Sequence, residues 1–180
     1  LGDVYKRQVD AGIGYLSEDR KRYGVIIEKT VAENTTMASL KAFCKGLFID
    51  KKAEKETAEQ YVEALKTKTP SVEQQVRNLS GGNQQKVVIA KWLTRNCDIL
   101  IFDEPTRGID VGARDEIYNI MYDLVNQGAS IIMISSDLVE VLKMCDRVAV
   151  MREGVLEAIL DNDPDLTQET ILKYAMQGGL

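Results

Sequence analysis

Two strand-sized apolar runs, with one amphipathic stretch between them, constrain this chain more than any other feature. Asp98-Ile99-Leu100-Ile101-Phe102 reads as a buried-type strand, and Ser130 to Ser135 as a second apolar strand. Between them Ile117, Ile120, Met121, Leu124 and Val125 recur at i, i+3, i+4, i+7 and i+8, which predicts a helix with one buried stripe. Asp110 can cap its start and Gly128 stop it. Strand, helix and strand in this order make a parallel crossover, and so an α/β sheet.

The rest of the chain fits around that unit. Ala11 to Leu16 predicts a strand running into the polar loop Ser17 to Arg22. Thr30 to about Lys45 and Lys52 to about Thr67 have helical composition, with Ala53, Ala58, Val62 and Leu65 near helical spacing in the second. Pro70 breaks that stretch. Leu79-Ser80-Gly81-Gly82 opens a helix from Asn83 to about Arg95. Asp137-Leu138-Val139-Glu140 has the form of a capping box before a short helix, and Asp165 with Gln168 that of a cap before a closing helix through Met176. Arg147 to Met151 and Val155 to Leu160, joined through Glu153-Gly154, predict a hairpin, so the last strands are antiparallel.

Composition removes several function classes. A length of 180 residues fits one domain with a sizeable core. A hydrophobic share of 44% with 28% charged is that of a globular protein. The net charge of −5 argues against binding nucleic acid through charge, and no nucleic-acid partner is expected. No apolar run reaches the roughly 20 residues of a membrane span. The absence of His removes Ser-His-Asp and Cys-His nucleophilic sites and His-ligated zinc. Cys44, Cys97 and Cys145 form neither a CxxC pair nor a disulfide framework, so a reducing compartment is expected and the three read as buried or incidental. Trp92 reads as core.

Three segments have residue types suited to phosphate chemistry, each with a plainer reading beside it. A carboxylate leaving a strand's carboxyl end, here Asp103, can hold Mg²⁺ beside a nucleotide, and a second one, Glu104, can orient or deprotonate a water. Taken alone, the pair reads more readily as solvated residues that end a strand. Two glycines at Gly81 and Gly82 let a backbone approach a ligand, and the following helix start suits a phosphate, with Ser80 adding a hydroxyl. The same residues can be a turn with Ser80 as N-cap. Gly108-Ile109-Asp110 can cap the next helix and do no more.

The order of these segments resembles the ATP-binding-cassette (ABC) nucleotide-binding domain. Leu79-Ser80-Gly81-Gly82 looks like its signature motif, Ile99 to Glu104 like its Walker B strand with the catalytic glutamate, and Gly108-Ile109-Asp110 like its D-loop. Gly14 to Arg22 (GYLSEDRKR), Leu79 to Lys86 (LSGGNQQK) and Asp103 to Gly112 (DEPTRGIDVG) resemble the second, C-terminal cassette of sugar-importer ATPases of the ribose, xylose and galactose type. The resemblance covers residues 9–180. It implies a partial P-loop NTPase fold, mainly parallel sheet flanked by helices. A helical subdomain spans about residues 19–78, and the signature, Walker B, D-loop, switch region and C-terminal part span 79–180.

The Walker A loop GxxGxGK[ST] is not in the sequence. Leu1 to Gln8 reads as a translation of CTCGGAGATGTGTATAAGAGACAG, which resembles a transposon-library adapter, so residues 1–8 are expected to be non-native and the Walker A loop to have stood upstream of Val9. Other departures from the general cassette pattern are Glu18 where Gln is usual, Asn83 after the signature glycines, and Ser136 for the switch His. They are normal for a second cassette and imply two unequal ATP sites, the one built on Asp103 and Glu104 being handicapped by Ser136.

The implied roles follow residue by residue. Ser80, Gly81 and Gly82 contact the γ-phosphate of an ATP held by a partner cassette. Asp103 positions Mg²⁺, Glu104 polarises water, Asp110 bridges the two cassettes, and Glu18 lies near the metal. Residues from about Arg20 to Met37 resemble the surface that docks transmembrane permease subunits, and the charge run Glu18 to Arg22 either serves there or is a solvated loop. The expected cofactors are ATP and Mg²⁺. The expected location is peripheral, on the cytoplasmic face of a bacterial plasma membrane, with a periplasmic or extracellular sugar-binding protein as indirect partner. Two related alternatives are a nucleoside importer and a non-hydrolysing module that completes a partner's ATP site. A DNA-repair or chromosome-organising head is a third. Only about 60 residues separate Glu18 from Leu79, without sustained heptads, which argues against the third.

Overall fold

The computed structural model describes residues 7–177. Of the segment 1–8, residues 1–6 lie outside the described residues. The chain divides into two compact units, Leu1–Ile134 and Ser135–Leu180.

The first unit is built on three parallel strands: β1 (Ile13–Leu16), β4 (Ile99–Asp103) and β5 (Ser130–Ile134), in the order β1-β4-β5. Ile13 pairs with Ile99, and Ile99 with Ser130, so the three strands finish at one carboxyl edge. The parallel sheet matches the sequence expectation. Leu16, Leu100 and Phe102 are buried. Ile132 and Ile134 on β5 are about half exposed, at 54% and 49%, because alternate residues of a strand point to opposite faces.

The helices of this unit are α1 (Val31–Thr36), α2 (Lys51–Ala64), α3 (Gly81–Thr94) and α4 (Val111–Asn126). α1 begins with a reciprocal capping box. The Thr30 hydroxyl accepts from the Glu33 N–H at 3.1 Å, and the Glu33 carboxylate accepts from the Thr30 N–H at 3.1 Å. The helix expected from Thr30 to Lys45 is shorter and tightens into a 3₁₀ stretch, Met37–Phe43, interrupted at Ser39 (φ −119°, ψ 20°). A two-residue hairpin follows, β2 (Cys44–Lys45) and β3 (Phe48–Ile49), turning at Gly46 with φ +64°. α2 is capped by Asp50, whose carboxylate accepts from the Lys52 and Ala53 N–H groups. Its buried Glu54 accepts from Thr36 Oγ1 at 2.7 Å and Lys51 Nζ at 2.8 Å, which satisfies a charge at an otherwise costly position.

α3 and α4 supply a large share of the core. Val87, Val88, Ile89 and Trp92 of α3 are buried, and so are Ile117, Ile120, Met121 and Leu124 of α4. Val125, counted into the stripe by spacing, is 48% exposed and lies at the stripe's edge. α3 starts at Gly81, two residues before the expected Asn83.

The second unit contains α5 (Leu138–Met144), the antiparallel hairpin β6 (Arg147–Arg152) and β7 (Val155–Asp161), and α6 (Gln168–Gln177). Asp137 caps α5 by accepting from the Val139 and Glu140 N–H groups. Ser135 Oγ donates to the Glu140 carboxylate at 2.5 Å. Asn162 Nδ2 ties the hairpin's end to the Leu142 and Cys145 carbonyls, at 2.8 and 2.7 Å. The cap at the start of α6 is Thr167, whose hydroxyl accepts from the Thr170 N–H, and not the expected Asp165. Asp165 instead donates its own N–H to Asp163. Cys97 is buried, Cys145 half-buried and Cys44 exposed, so burial does not extend to all three.

Candidate functional site

The signature residues and the D-loop meet in the first unit. α3 and α4 begin side by side, and a cleft of about 230 Å³ between their starts is lined by Lys68, Ser80, Gly82, Asn83, Asp110 and Glu116, with Gly112 and Ala113 completing it. Ser80 occupies the N-cap position of α3 in extended backbone, φ −61° and ψ 160°, yet its side chain makes no capping bond. Its hydroxyl accepts from Asn83 Nδ2 at 2.9 Å, and Asn83 Oδ1 accepts from the Lys68 N–H at 2.8 Å. The plain N-cap reading of Ser80 therefore fails. Ser80 is exposed at the mouth of a 14-residue helix whose partial positive charge faces the cleft.

The glycines have a steric reason as well. A Cβ on Gly81 would stand 2.6 Å from a terminal nitrogen of Arg20 and 3.0 Å from the Gly108 carbonyl oxygen. A Cβ on Gly82 would stand 2.8 Å from the Ala113 Cβ. A side chain at Gly81 would displace the Arg20 guanidinium and crowd the Gly108 carbonyl, and one at Gly82 would press on α4. The D-loop itself turns at Gly108 with φ +67°. Asp110 caps α4, its carboxylate accepting from the Ala113 N–H at 3.0 Å.

The acid pair stands at the carboxyl edge of the sheet. Asp103 is the last residue of β4, and Tyr15 on the neighbouring β1 donates its hydroxyl to Asp103 Oδ2 at 2.5 Å. Glu104 follows in left-handed backbone, φ +47°, and its N–H donates to the Ile134 carbonyl at 2.9 Å. The arrangement puts two carboxylates at the strand end, where α/β sheets place ligands. Among the described residues, no group of three His, Cys, Asp or Glu side chains gathers as a closed metal cage. The donor set suits Mg²⁺ held through water by one acid and completed by phosphate oxygens.

Glu18 and its neighbours face the same loop. Glu18 forms an ion pair with Arg107. Arg20, in a one-turn π-helix (Arg20–Gly24), donates to the Arg107 carbonyl at 3.0 Å. Asp19 accepts from the Arg22 N–H, and Lys21 and Arg22 are exposed. Glu18 and Arg20 of the charge run therefore engage their own chain. Sequence spacing gave no sign of this, because the partners lie 87 residues apart.

Two buried lysines hold α3. Lys86, 1% exposed, donates to the Lys66 carbonyl at 2.9 Å and to Glu116 at 2.8 Å. The Lys86 hydrogen bond, with Lys68 adding attraction, holds the Glu116 carboxyl below its ordinary pKa. Lys91 donates to the Gly24 carbonyl at 2.6 Å and lies over the Trp92 ring at 4.9 Å. Burial pulls its pKa down to about 8. Trp92 is core, at 5% exposure. Ser136, the switch-position residue, belongs to the second unit, where it is exposed just before α5.

Comparison with known proteins places the chain among relatives and structural neighbours. A Burkholderia lata protein named as a ribose/galactose/methyl galactoside import ATP-binding protein is 54% identical over 167 residues, covering 92% of this chain and 32% of its own length. The ribose import ATP-binding protein of Geobacillus kaustophilus is 50% identical over 188 residues, covering 98% of this chain and 38% of its own length. The chain thus spans about a third of the length of the curated relatives it matches. A solved ATP-binding cassette, dimeric in a post-hydrolysis state with ADP and Pi, superposes with a TM-score of 0.73 at 20% identity, covering 91% of this chain and 68% of the other. A nucleotide-free cassette from an ABC transporter gives 0.72 at 23%, covering 93% and 67%. These two likenesses establish the cassette fold. Residues 3–107, more than half of the sequence, match the family described as ABC transporter, and the chain belongs to that family.

Proposed function

We propose that this chain is the back part of the second cassette of an ABC importer ATPase that couples ATP hydrolysis to uptake of simple sugars. One observation carries the reading: Ser80 stands exposed at the uncapped start of α3, in a cleft shared with Asp110. A helix start with that charge suits a phosphate offered from outside the chain. The names of the relatives support a sugar as the solute.

In this reading the signature cleft closes over the γ-phosphate of an ATP whose other contacts come from a partner cassette. Ser80 donates its hydroxyl to that phosphate, the helix start adds backbone N–H groups, and Asp110 sets the distance between the cassettes. Asp103, oriented by Tyr15, would hold Mg²⁺ through water, and the ion would neutralise charge on the phosphates. Glu104 orients the attacking water and accepts its proton. Ser136 can hydrogen-bond but is a weaker group than His for placing that water. Hydrolysis at the Asp103–Glu104 site is therefore the slower of the two. Closing and opening of the cassette pair drives permease subunits, which receive sugar from an extracellular or periplasmic binding protein. Residues from about Arg20 to Met37, within a helical subdomain of about 19–78, face those subunits. The protein lies on the cytoplasmic face of the plasma membrane. No helix among the described residues is long and apolar enough to cross a membrane.

The test starts from the source gene. Sequence upstream of the Val9 codon should encode a GxxGxGK[ST] loop and a preceding cassette. The intact protein, reconstituted with its permease, should then hydrolyse ATP faster when its sugar-loaded binding protein is added. An intact protein that binds ATP but never hydrolyses it would favour the module that only completes a partner's site.

A further inference from the structure

The D-loop is not held by its own backbone bonds alone. Arg20 reaches it across 87 residues, one terminal nitrogen donating to the Arg107 carbonyl at 3.0 Å and the other to the Gly108 carbonyl at 3.5 Å. The same guanidinium fills the space above Gly81, where a Cβ would meet it at 2.6 Å. One side chain thus touches two segments that the proposed function uses, the D-loop and the start of the signature helix. It stands on a third, the π-helical turn, which Lys91 fixes to α3 through the Gly24 carbonyl.

We infer that Arg20 is a positioning residue for ATP hydrolysis: it clamps the Arg107–Gly108 carbonyls against Gly81, fixing where Asp110 and Ser80 stand relative to each other. The inference rests on the ATPase reading above. Three observations carry it. The planar fork meets two successive main-chain carbonyls in one fixed geometry, which a flexible lysine ammonium holds less rigidly. Gly108 is in left-handed backbone, which glycine adopts without strain and with the most freedom, so the loop's shape depends on contacts from outside it. Arg20 Nε is buried without a partner, so the two terminal nitrogens alone orient the guanidinium. Burial lowers the Arg20 pKa against a smaller opposing effect of Asp19. Glu18, paired with Arg107, braces the same loop from the side.

The experiment uses the intact protein carrying Arg20→Lys or Arg20→Met. Hydrogen–deuterium exchange is read over residues 104–113, with residues 117–124 of α4 as internal reference, and ATPase kinetics are measured alongside. The expected result is faster exchange confined to 104–113. With it, kcat should fall roughly tenfold to a hundredfold at a KM for ATP within about twofold of wild type, the lysine variant losing less. Unchanged exchange at 104–113 overturns the clamp. Exchange that rises equally in the reference helix makes Arg20 merely structural and also overturns it. A freed loop with unaltered kcat overturns the positioning role. A wild-type protein that hydrolyses no ATP sinks the ATPase reading and the positioning role with it, while the exchange data still decide whether the clamp exists.

Discussion

α3 and α4 begin beside one another but are secured in opposite ways. α4 is secured at its tip, where Asp110 accepts from the Ala113 N–H. α3 has a serine at the equivalent position that caps nothing, and is secured along its length, by Lys86 to the Lys66 carbonyl and Lys91 to the Gly24 carbonyl. The difference explains how a helix start can stay open for a ligand without loosening the helix. The helix is held by hydrogen bonds from two buried lysines on the shaft, and its tip is left without a side-chain cap.

The sharpest way to break the comparison is at the open tip. Ser80→Arg should lower ATP hydrolysis by the intact protein by on the order of a thousandfold, since it fills the cleft and puts a second cation at the helix start. Because Ser80 is exposed, the melting temperature should hold, and a large fall in it would remove Ser80 from the ligand side of the argument.

The shaft predicts a pH effect. Lys91 titrates at about 8 in the folded chain against 10.5 as its ordinary value. Between those values the unfolded state binds more protons, so stability should rise with pH, and below about 8 the cost of the buried charge is fully present. The rise is on the order of 3 kcal/mol across that window. Denaturant unfolding of wild type and Lys91→Met across pH 7 to about 11 checks it, and a wild-type slope no steeper than the variant's removes the claim.

Lys86→Met should cost about 2 kcal/mol, because the Lys66 carbonyl and Glu116 lose a charged donor. Glu116 is 42% exposed, which keeps the loss below that of a fully buried pair. The smallest effect is expected at the capped tip, where Asp110→Ala should cost about 1 kcal/mol and Asp110→Asn almost nothing, asparagine being an equal cap. If the carboxylate also bridges cassettes, Asp110→Asn will keep stability and still lose activity, so stability and rate measured on one variant separate the two roles.

The sequence made legible whatever depends on neighbours along the chain. β4, β5, the α4 stripe from Ile117 to Leu124 and the Asp110 cap all follow from spacing and cap chemistry. The same logic failed where two local signals competed. Asp165 and Thr167 are both cap residues, and Thr167 sits one residue before the helix. Thr30 to Lys45 had helical composition, but Ser39 and Gly46 break it into a 3₁₀ stretch and a hairpin. In the candidate site, Asp103, Glu104, Ser80 and Asp110 were readable by type and order. Tyr15, Arg20 and the Glu18–Arg107 pair were not, because contacts across nearly ninety residues leave no period in the sequence. They are set by which strand ends meet, and only the β1–β4 register decides that.

Glu104 adds a consequence for anyone who evolves this domain in the laboratory. A glutamate in left-handed backbone gives up about 1 kcal/mol that glycine would not. On the proposed water-orienting role, a library screened for heat resistance would tolerate Glu104→Gly, since relief of strain offsets the entropy glycine adds to the unfolded chain, while one screened for ATP turnover would purge it. Position 104 is where the two screens should diverge first, which makes it a marker for whether a stabilised variant has been improved or has been disarmed.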